Sequence, residues 1–229
     1  MIKALSDNYI WIIEDGKKAV VVDPGEAEEV LKYLKKQQMQ LAGILLTHNH
    51  EDHTGGVKEI ATAFPDALVY GPMETSSLAD RIVQEGDSFQ LLNQTFQVFK
   101  TAGHTAEHIS FLMGKALFCG DALFSAGCGR VFTGDYQAQY DALQKFKQLE
   151  DDVQVFAAHE YTQTNLTFAH SEEPSNETIS QALDRVDQLR ADGKPTLPST
   201  IREERKINLF LQAKTLDEFI TLRQRRDRF

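Results

Sequence analysis

Short apolar runs broken by polar loops dominate the first two thirds of the chain, and helical spacing takes over in the last third. Tyr9–Ile13 and Ala19–Val22 read as strands, followed by a turn at Asp23-Pro24-Gly25. Glu26–Gln38 places Val30, Leu31 and Leu34 at helical spacing. Leu41–Leu46 is a buried-type strand that stops at Thr47, and a helix is expected from Gly56 through Ile60. Ala67–Tyr70, Ser88–Leu91 and Thr95–Phe99 read as strands, and Ile109–Leu112 with Lys115–Phe118 as a hairpin turning on Gly114. A helix over Gln139–Leu149 and a strand over Val153–Ala157 complete this body.

After residue 163 strand signals nearly stop. Ile179, Leu183, Val186 and Leu189 mark a helix over Asn176–Arg190; Gly193-Lys194-Pro195 and Pro198 break the chain; Leu209–Leu211 is a short apolar piece; Leu216–Arg226 reads as a last helix. The expected organisation is an α/β body over residues 1–163 and a helical segment over 164–229, the latter too small for a core of its own and so packed on the body.

Composition adds three exclusions. With 229 residues and 41% hydrophobic content the chain can bury a core without disulfides, and its two cysteines, Cys119 and Cys128, form no CxxC pair. They are read as small buried hydrophobes rather than nucleophiles. No run approaches a membrane span, and Tyr9–Ile13 is too short for a signal segment, being followed at once by Glu14 and Asp15; the expected location is the cytoplasm. The net charge of −10 argues against bulk binding to nucleic acid or an anionic membrane. Residues 1–163 hold 13 basic and 23 acidic residues and carry the whole excess. The neutral remainder ends in Arg223-Gln224-Arg225-Arg226-Asp227-Arg228-Phe229, a basic tip that on charge alone reads as a solvated helix end.

The chemistry concentrates at Thr47-His48-Asn49-His50-Glu51-Asp52-His53-Thr54-Gly55-Gly56. Imidazole and carboxylate suit first-row divalent metals. In an extended segment His48 and His50 point the same way and can grip one metal. Asp52 and His53 converge on a second only if the chain turns, a role expected of Gly55-Gly56. Other donors sit where apolar runs meet loops: His104 in Ala102-Gly103-His104-Thr105, Asp121 after Phe118-Cys119-Gly120, and His159 after Phe156-Ala157-Ala158. The tally becomes His48, His50 and His104 on one metal, Asp52, His53 and His159 on the other, and Asp121 bridging them with its two oxygens. Room remains for the water a catalytic site requires. His108 is either an outer partner of the ligands or structural, and is read as structural; His170 is read as solvated.

Thr47–His53 resembles the THxHxDH signature of the metallo-β-lactamase superfamily, and the order of the later ligands matches too. Closer still is the resemblance to the hydroxyacylglutathione hydrolase (glyoxalase II) family. It rests on Asp7-Asn8-Tyr9, Val22-Asp23-Pro24-Gly25, Gly120–Phe124 leading to Gly127-Cys128-Gly129-Arg130, Ala158–Thr162, Ile207–Phe210 and Arg226–Phe229. The resemblance implies an αββα sandwich with the metals at one edge and a helical C-terminal substrate domain. It implies hydrolysis of S-(2-hydroxyacyl)glutathione thioesters, typically S-D-lactoylglutathione to glutathione and D-lactate, the second step of methylglyoxal detoxification. Substrate contacts carry over onto Arg130 and Tyr161, onto Arg223 and Arg226 for the glycine carboxylate, and onto Phe132, where some members have Tyr. The basic tip is then a substrate clamp, with Arg225 and Arg228 solvated. The family's PGHTxGH reads with Ala102 for Pro and Glu107 for the second Gly, and Gln212 replaces an Arg; no metal ligand is lost.

The expected mechanism is attack by a metal-bridged hydroxide, with Asp121 bridging and Asp52 either a ligand or an orienter of the nucleophile. The cofactors are two divalent ions, zinc first, with iron and manganese also accepting these donors. The expected partner is a small-molecule glutathione thioester, acting on a monomer. The alternative is another hydrolase on the same fold, a lactonase or a thioesterase for a different carrier.

Overall fold

A computed structural model describes residues 1–229. Two six-stranded sheets lie face to face. The first runs in the order β1 (Ile2–Ala4), β2 (Asn8–Asp15), β3 (Lys18–Val22), β4 (Gln40–Leu45), β5 (Leu68–Gly71), β6 (Arg81–Ile82). β1, β2 and β3 pair antiparallel, and β3 through β6 pair parallel. The second runs β12 (Ser199–Thr200), β11 (Gln154–Ala157), β10 (Ala116–Gly120), β9 (Ile109–Met113), β8 (Gln94–Lys100), β7 (Ser88–Leu91), with only β10 and β11 parallel.

The layering follows from residue alternation along the strands. In β3, Val20 and Val22 face the second sheet's Phe96, Val98, Phe111 and Leu117, whereas Ala19 and Val21 face outward. That outer face is covered by α1 (Glu28–Gln37) and α3 (Val57–Ala63), through Val30, Leu34, Val57 and Ile60. The second sheet shares one core with α4 (Tyr136–Lys147), α8 (Leu209–Gln212) and α9 (Leu216–Arg226), through Leu143, Phe146, Phe210 and Phe219. This is an αββα sandwich, as expected.

α5 (Thr162–Glu172), α6 (Glu177–Ala191), α7 (Ile201–Ile207), α8 and α9 form the helical end of the chain. A small cluster including Leu166, Ile179, Val186 and Leu209 binds these helices together, while Phe168, Phe210 and Phe219 belong to the main core. Polar ties add to this packing. The fully buried Glu204 accepts from the Ala126 amide at 2.8 Å, and Asn208 Nδ2 donates to the Gly127 carbonyl at 2.9 Å. Gln212 donates to the Arg205 carbonyl at 3.1 Å, so the family's missing Arg leaves a satisfied side chain. No helix is long and apolar enough to cross a membrane.

The two sheets meet along one edge. The Tyr9 amide donates to the Ala158 carbonyl at 2.7 Å, and Trp11 Nε1 to the Ala157 carbonyl at 2.9 Å. The loops that leave β4, β8, β10 and β11 all open at this edge.

Candidate metal centre

β4 ends at Leu45, and the extended link that follows carries His48 and His50. The turn that brings Asp52 beside His53 is not made by Gly55-Gly56. It is a short helix, α2 (Glu51–Thr54), that begins directly after His50. Gly55 and Gly56 keep ordinary helical dihedrals, with Gly56 at φ −84°. Their smallness serves close packing instead: a Cβ on Gly56 would lie 2.4 Å from the Glu26 carbonyl carbon, and one on Gly25 would lie 1.9 Å from the Asp52 oxygen. The Asp23–Gly25 turn therefore packs backbone to backbone against the ligand segment.

His104 lies beyond β8, Asp121 directly after β10 and His159 two residues after β11. Asp121 follows Gly120, whose φ of +48° favours glycine; a Cβ there would also meet Thr47 Oγ1 at 2.3 Å.

The seven predicted donors converge. His50 Nδ1 lies 3.1 Å from both His48 Nε2 and His104 Nε2. His159 Nε2 lies 3.3 Å from His53 Nε2 and 3.4 Å from Asp52 Oδ2. Asp121 stands between the two groups. Its Oδ2 is 3.4 Å from His104 Nε2, and its Oδ1 is 3.3 Å from His53 Nε2 and 3.4 Å from His159 Nε2. Ligands about 2.0–2.1 Å from a tetrahedral zinc are about 3.3 Å from one another, so these separations suit shared coordination.

Outer partners set the imidazole tautomers. His104 Nδ1 donates to the Arg130 carbonyl at 2.9 Å. His53 Nδ1 donates to Asp23 Oδ2 at 3.0 Å, and His159 Nδ1 to Asp7 Oδ1 at 2.7 Å. The Thr47 hydroxyl donates to Asp23 Oδ2 at 2.7 Å, which leaves its oxygen to accept from His48 Nδ1 at 3.0 Å. All four rings thus aim Nε2 inward. Bare lone pairs this close repel, and Asp121 Oδ1 is buried with no hydrogen-bond partner. A cation in each group resolves both costs, so the residues fit metal ions.

The electrostatics agree. Burial holds His48 and His108 well below the usual histidine value and lowers His104. For His53, burial disfavours the charged ring, but Asp121 and Asp23 outweigh it and raise its pKa well above normal. Burial likewise opposes charge on Asp121, yet His53 and His159 hold it well below the usual carboxylate range. The carboxylates demand positive charge at this point, which a bound cation supplies in place of the His53 proton.

Two acids missing from the predicted site, Asp7 and Asp23, orient ligands. Both lie in stretches that carry the family resemblance, and that was their only signal. His108 is fully buried directly behind the ligands; its Nε2 accepts the Asp121 amide at 3.2 Å and its ring stacks on His48. His170, expected to be solvated, is half-buried, with its Nδ1 3.3 Å from Ser180 Oγ. Cys119 and Cys128 are buried, and burial raises both thiols.

A cleft of about 360 Å³ opens over the donors, with His50, Asp52, His104, Asp121 and His159 on its floor. Arg130, Phe132, Tyr161, Arg223 and Arg226 line its walls. Phe132 is 63% exposed and stands edge-on to His50 and His104. Tyr161 stacks on His159 at 4.7 Å, and burial raises its hydroxyl pKa, so it stays a donor. Arg223 is buried, and Arg226 is half-buried against Asn165.

Comparison with known proteins places this arrangement. The metallo-beta-lactamase superfamily model matches residues 5–159, and the model for the hydroxyacylglutathione hydrolase C-terminus matches residues 160–229. Among solved structures, ETHE1 from Myxococcus xanthus has a TM-score of 0.73 at 27% identity, covering 96% of this chain and 86% of that one. The fold is thus the metallo-β-lactamase fold, and the chain is a metal-dependent hydrolase. Two curated relatives are named hydroxyacylglutathione hydrolase. The one from Glaesserella parasuis serovar 5 is 56% identical and the one from Haemophilus ducreyi 54%, each covering 100% of this chain and 97% of the relative. The chain belongs to the hydroxyacylglutathione hydrolase family.

Proposed function

We propose that this chain hydrolyses S-(2-hydroxyacyl)glutathione thioesters, S-D-lactoylglutathione foremost, at two divalent cations, with zinc the first candidate. The observation that carries the reading is a cluster of seven converging metal donors, five of them on the floor of one cleft, facing a wall of arginines. The name shared by the curated relatives supplies the substrate class.

His48, His50 and His104 would hold one cation and Asp52, His53 and His159 the other, with Asp121 offering an oxygen to each. When bound, the cations supply Lewis acidity, which eases ionisation of water near neutral pH and polarises a carbonyl oxygen. Asp52 is the least buried donor of its group, and Asn8 Nδ2 donates to its Oδ2 at 3.1 Å, so one face of the carboxylate stays directed into the cleft. That face can orient an attacking water as well as ligate. Arg130 and Arg226 form the side that receives the glycine carboxylate, since guanidinium forks match carboxylates; Arg223, expected to join them, is buried with its guanidinium engaged by Asp227 and the Cys128 carbonyl, and so supports that side from behind. Tyr161 presents a hydroxyl donor, and Phe132 presents an apolar ring where relatives with tyrosine would add a second. The leaving thiolate derives from a thiol of pKa about 8.5, so the site needs no dedicated acid to expel it.

The test is turnover of S-D-lactoylglutathione beside a panel of lactones, β-lactams and non-glutathione thioesters, with metal content measured on the same sample. The expected result is preferential cleavage of the glutathione thioester by protein holding two metals per chain. Preference for a lactone or another carrier's thioester would overturn the substrate; full activity with one metal would overturn the dinuclear reading.

A further inference from the structure

We infer that Asp227 is a positioning residue for the carboxylate-binding wall, since one of its oxygens fixes two guanidinium groups from distant parts of the chain. Asp227 follows α9 directly. Its Oδ1 accepts from Arg223 Nε at 3.2 Å and from Arg130 Nε at 3.2 Å, and it is ion-paired with Arg223 Nη2 at 2.9 Å. Its backbone oxygen accepts from Arg130 Nη2 at 3.4 Å. Arg130 belongs to the loop beyond β10, and Arg223 to the last helix, so this carboxylate ties the sandwich to the helical end at the rim of the cleft.

The two arginines differ in what the tie leaves open. Arg223 also donates through Nη1 to the Cys128 carbonyl at 2.8 Å and lies over the Phe210 ring; only 6% of its side chain is exposed. It serves as an anchor. Arg130 is 54% exposed, and Asp227 engages only its Nε–Nη2 edge, so its Nη1 makes no protein hydrogen bond. Arg226 is similar: Nε and Nη2 donate to Asn165 Oδ1, and Nη1 is unpaired. Two arginines that line the cleft therefore each keep an unpaired Nη1 group.

Three guanidinium groups in one corner repel one another, and a long exposed arginine has many rotamers to lose on binding. Asp227 counters both before substrate arrives. It neutralises one of the three charges, leaving a net positive corner, and it holds Arg130 by the edge that the substrate does not need. Ordering a fork in advance strengthens binding without touching the reacting atoms. A carboxylate competing with substrate would occupy the open Nη1 side, which Asp227 does not.

This inference rests on the glutathione-thioester reading, and its test separates the two. The metal-loaded full chain and its Asp227→Asn and Asp227→Glu variants are assayed on S-D-lactoylglutathione and on the same thioester with its glycine carboxylate converted to the amide. The expected result for Asp227→Asn is a rise in KM of about tenfold on the acid, with kcat within about twofold and little change on the amide; Asp227→Glu recovers part of the loss. An equal rise on both substrates, or a fall in KM, overturns the positioning role while leaving the activity standing. A wild-type chain inactive on both substrates overturns the functional reading and the inference with it.

Discussion

Asp23 Oδ2 accepts the Nδ1 proton of His53 at 3.0 Å while Asp23 Oδ1 accepts the Thr47 amide at 2.8 Å, so one buried carboxylate orients a metal-facing ring and pins the strand end that carries it. Asp23→Asn keeps the size but replaces an acceptor with an amide that can present N–H groups to the imidazole. The expected outcome is a loss of metal affinity of about 10–100-fold, with activity falling alongside unless excess metal is supplied. Competition against a chromogenic chelator checks it; unchanged affinity would mean that Asp23 holds only the loop.

Metal removal should act on stability as well as turnover. Stripped of cations, the site leaves inward lone pairs and the Asp121 oxygen without partners. At metal concentrations about 100 times the dissociation constant, binding contributes about 2.7 kcal/mol, or several degrees in Tm for a chain of this size. Calorimetry before and after chelation measures it. His53→Ala should lose metal and activity together.

The arginines should separate by readout. Arg223→Ala removes a buried guanidinium that Asp227 and the Cys128 carbonyl both engage and should destabilise the fold by about 1–3 kcal/mol, seen in urea unfolding. Arg226→Ala removes a half-buried cation facing the cleft and should raise KM about tenfold or more for glutathione thioesters while leaving Tm nearly unchanged. The same loss of stability in both variants would argue that both arginines are structural.

Glu204 gives a pH prediction. Burial raises its carboxyl pKa in the folded state, with Ser199, Ala126 and Asn208 opposing. The folded protein therefore binds its proton more tightly than the unfolded chain does. Its contribution to stability is fully present below the unfolded-state value and is lost as pH rises through that value to the raised folded one. Glu204→Gln removes this dependence. Its oxygen can still accept from Ala126 and Asn208, and its amide can serve the Ser199 hydroxyl, which lacks a partner. The variant should gain stability relative to wild type as pH rises from 4 toward 7. A constant difference across that range in denaturant titrations would contradict it.

Much of this was legible from residue order, and the omissions have physical causes. α9 falls where Leu216–Arg226 was expected, because its apolar and capping pattern is local. The donors could be found because metal ligation demands particular side chains at strand ends. α5 was missed: Thr162–Glu172 intersperses Thr and Asn among Leu166, Phe168 and Ala169, and Asn165 is buried by a bond to the distant Ser125 carbonyl rather than by its own pattern. α7 is rich in charge, and its buried Glu204 reads as a surface residue until Ala126 and Asn208 come into view. β1, β6 and β12 are two or three residues long, too short for any periodicity. Gly55-Gly56 suggest the turn at Asp52 by residue type alone, whereas the chain uses a helical turn and keeps the glycines for close approach.

The edge where the Tyr9 amide meets the Ala158 carbonyl has a further consequence. One sheet and its loops supply His48, His50, Asp52 and His53; the other supplies His104, Asp121 and His159. The centre is therefore a seam rather than a pocket within either layer. A slip of one sheet against the other misaligns the donor sets without altering any donor. Trp11, which reaches across to the Ala157 carbonyl, is in this sense an alignment pin. Tolerance to substitution should fall along the interlayer core as steeply as around the ligands themselves.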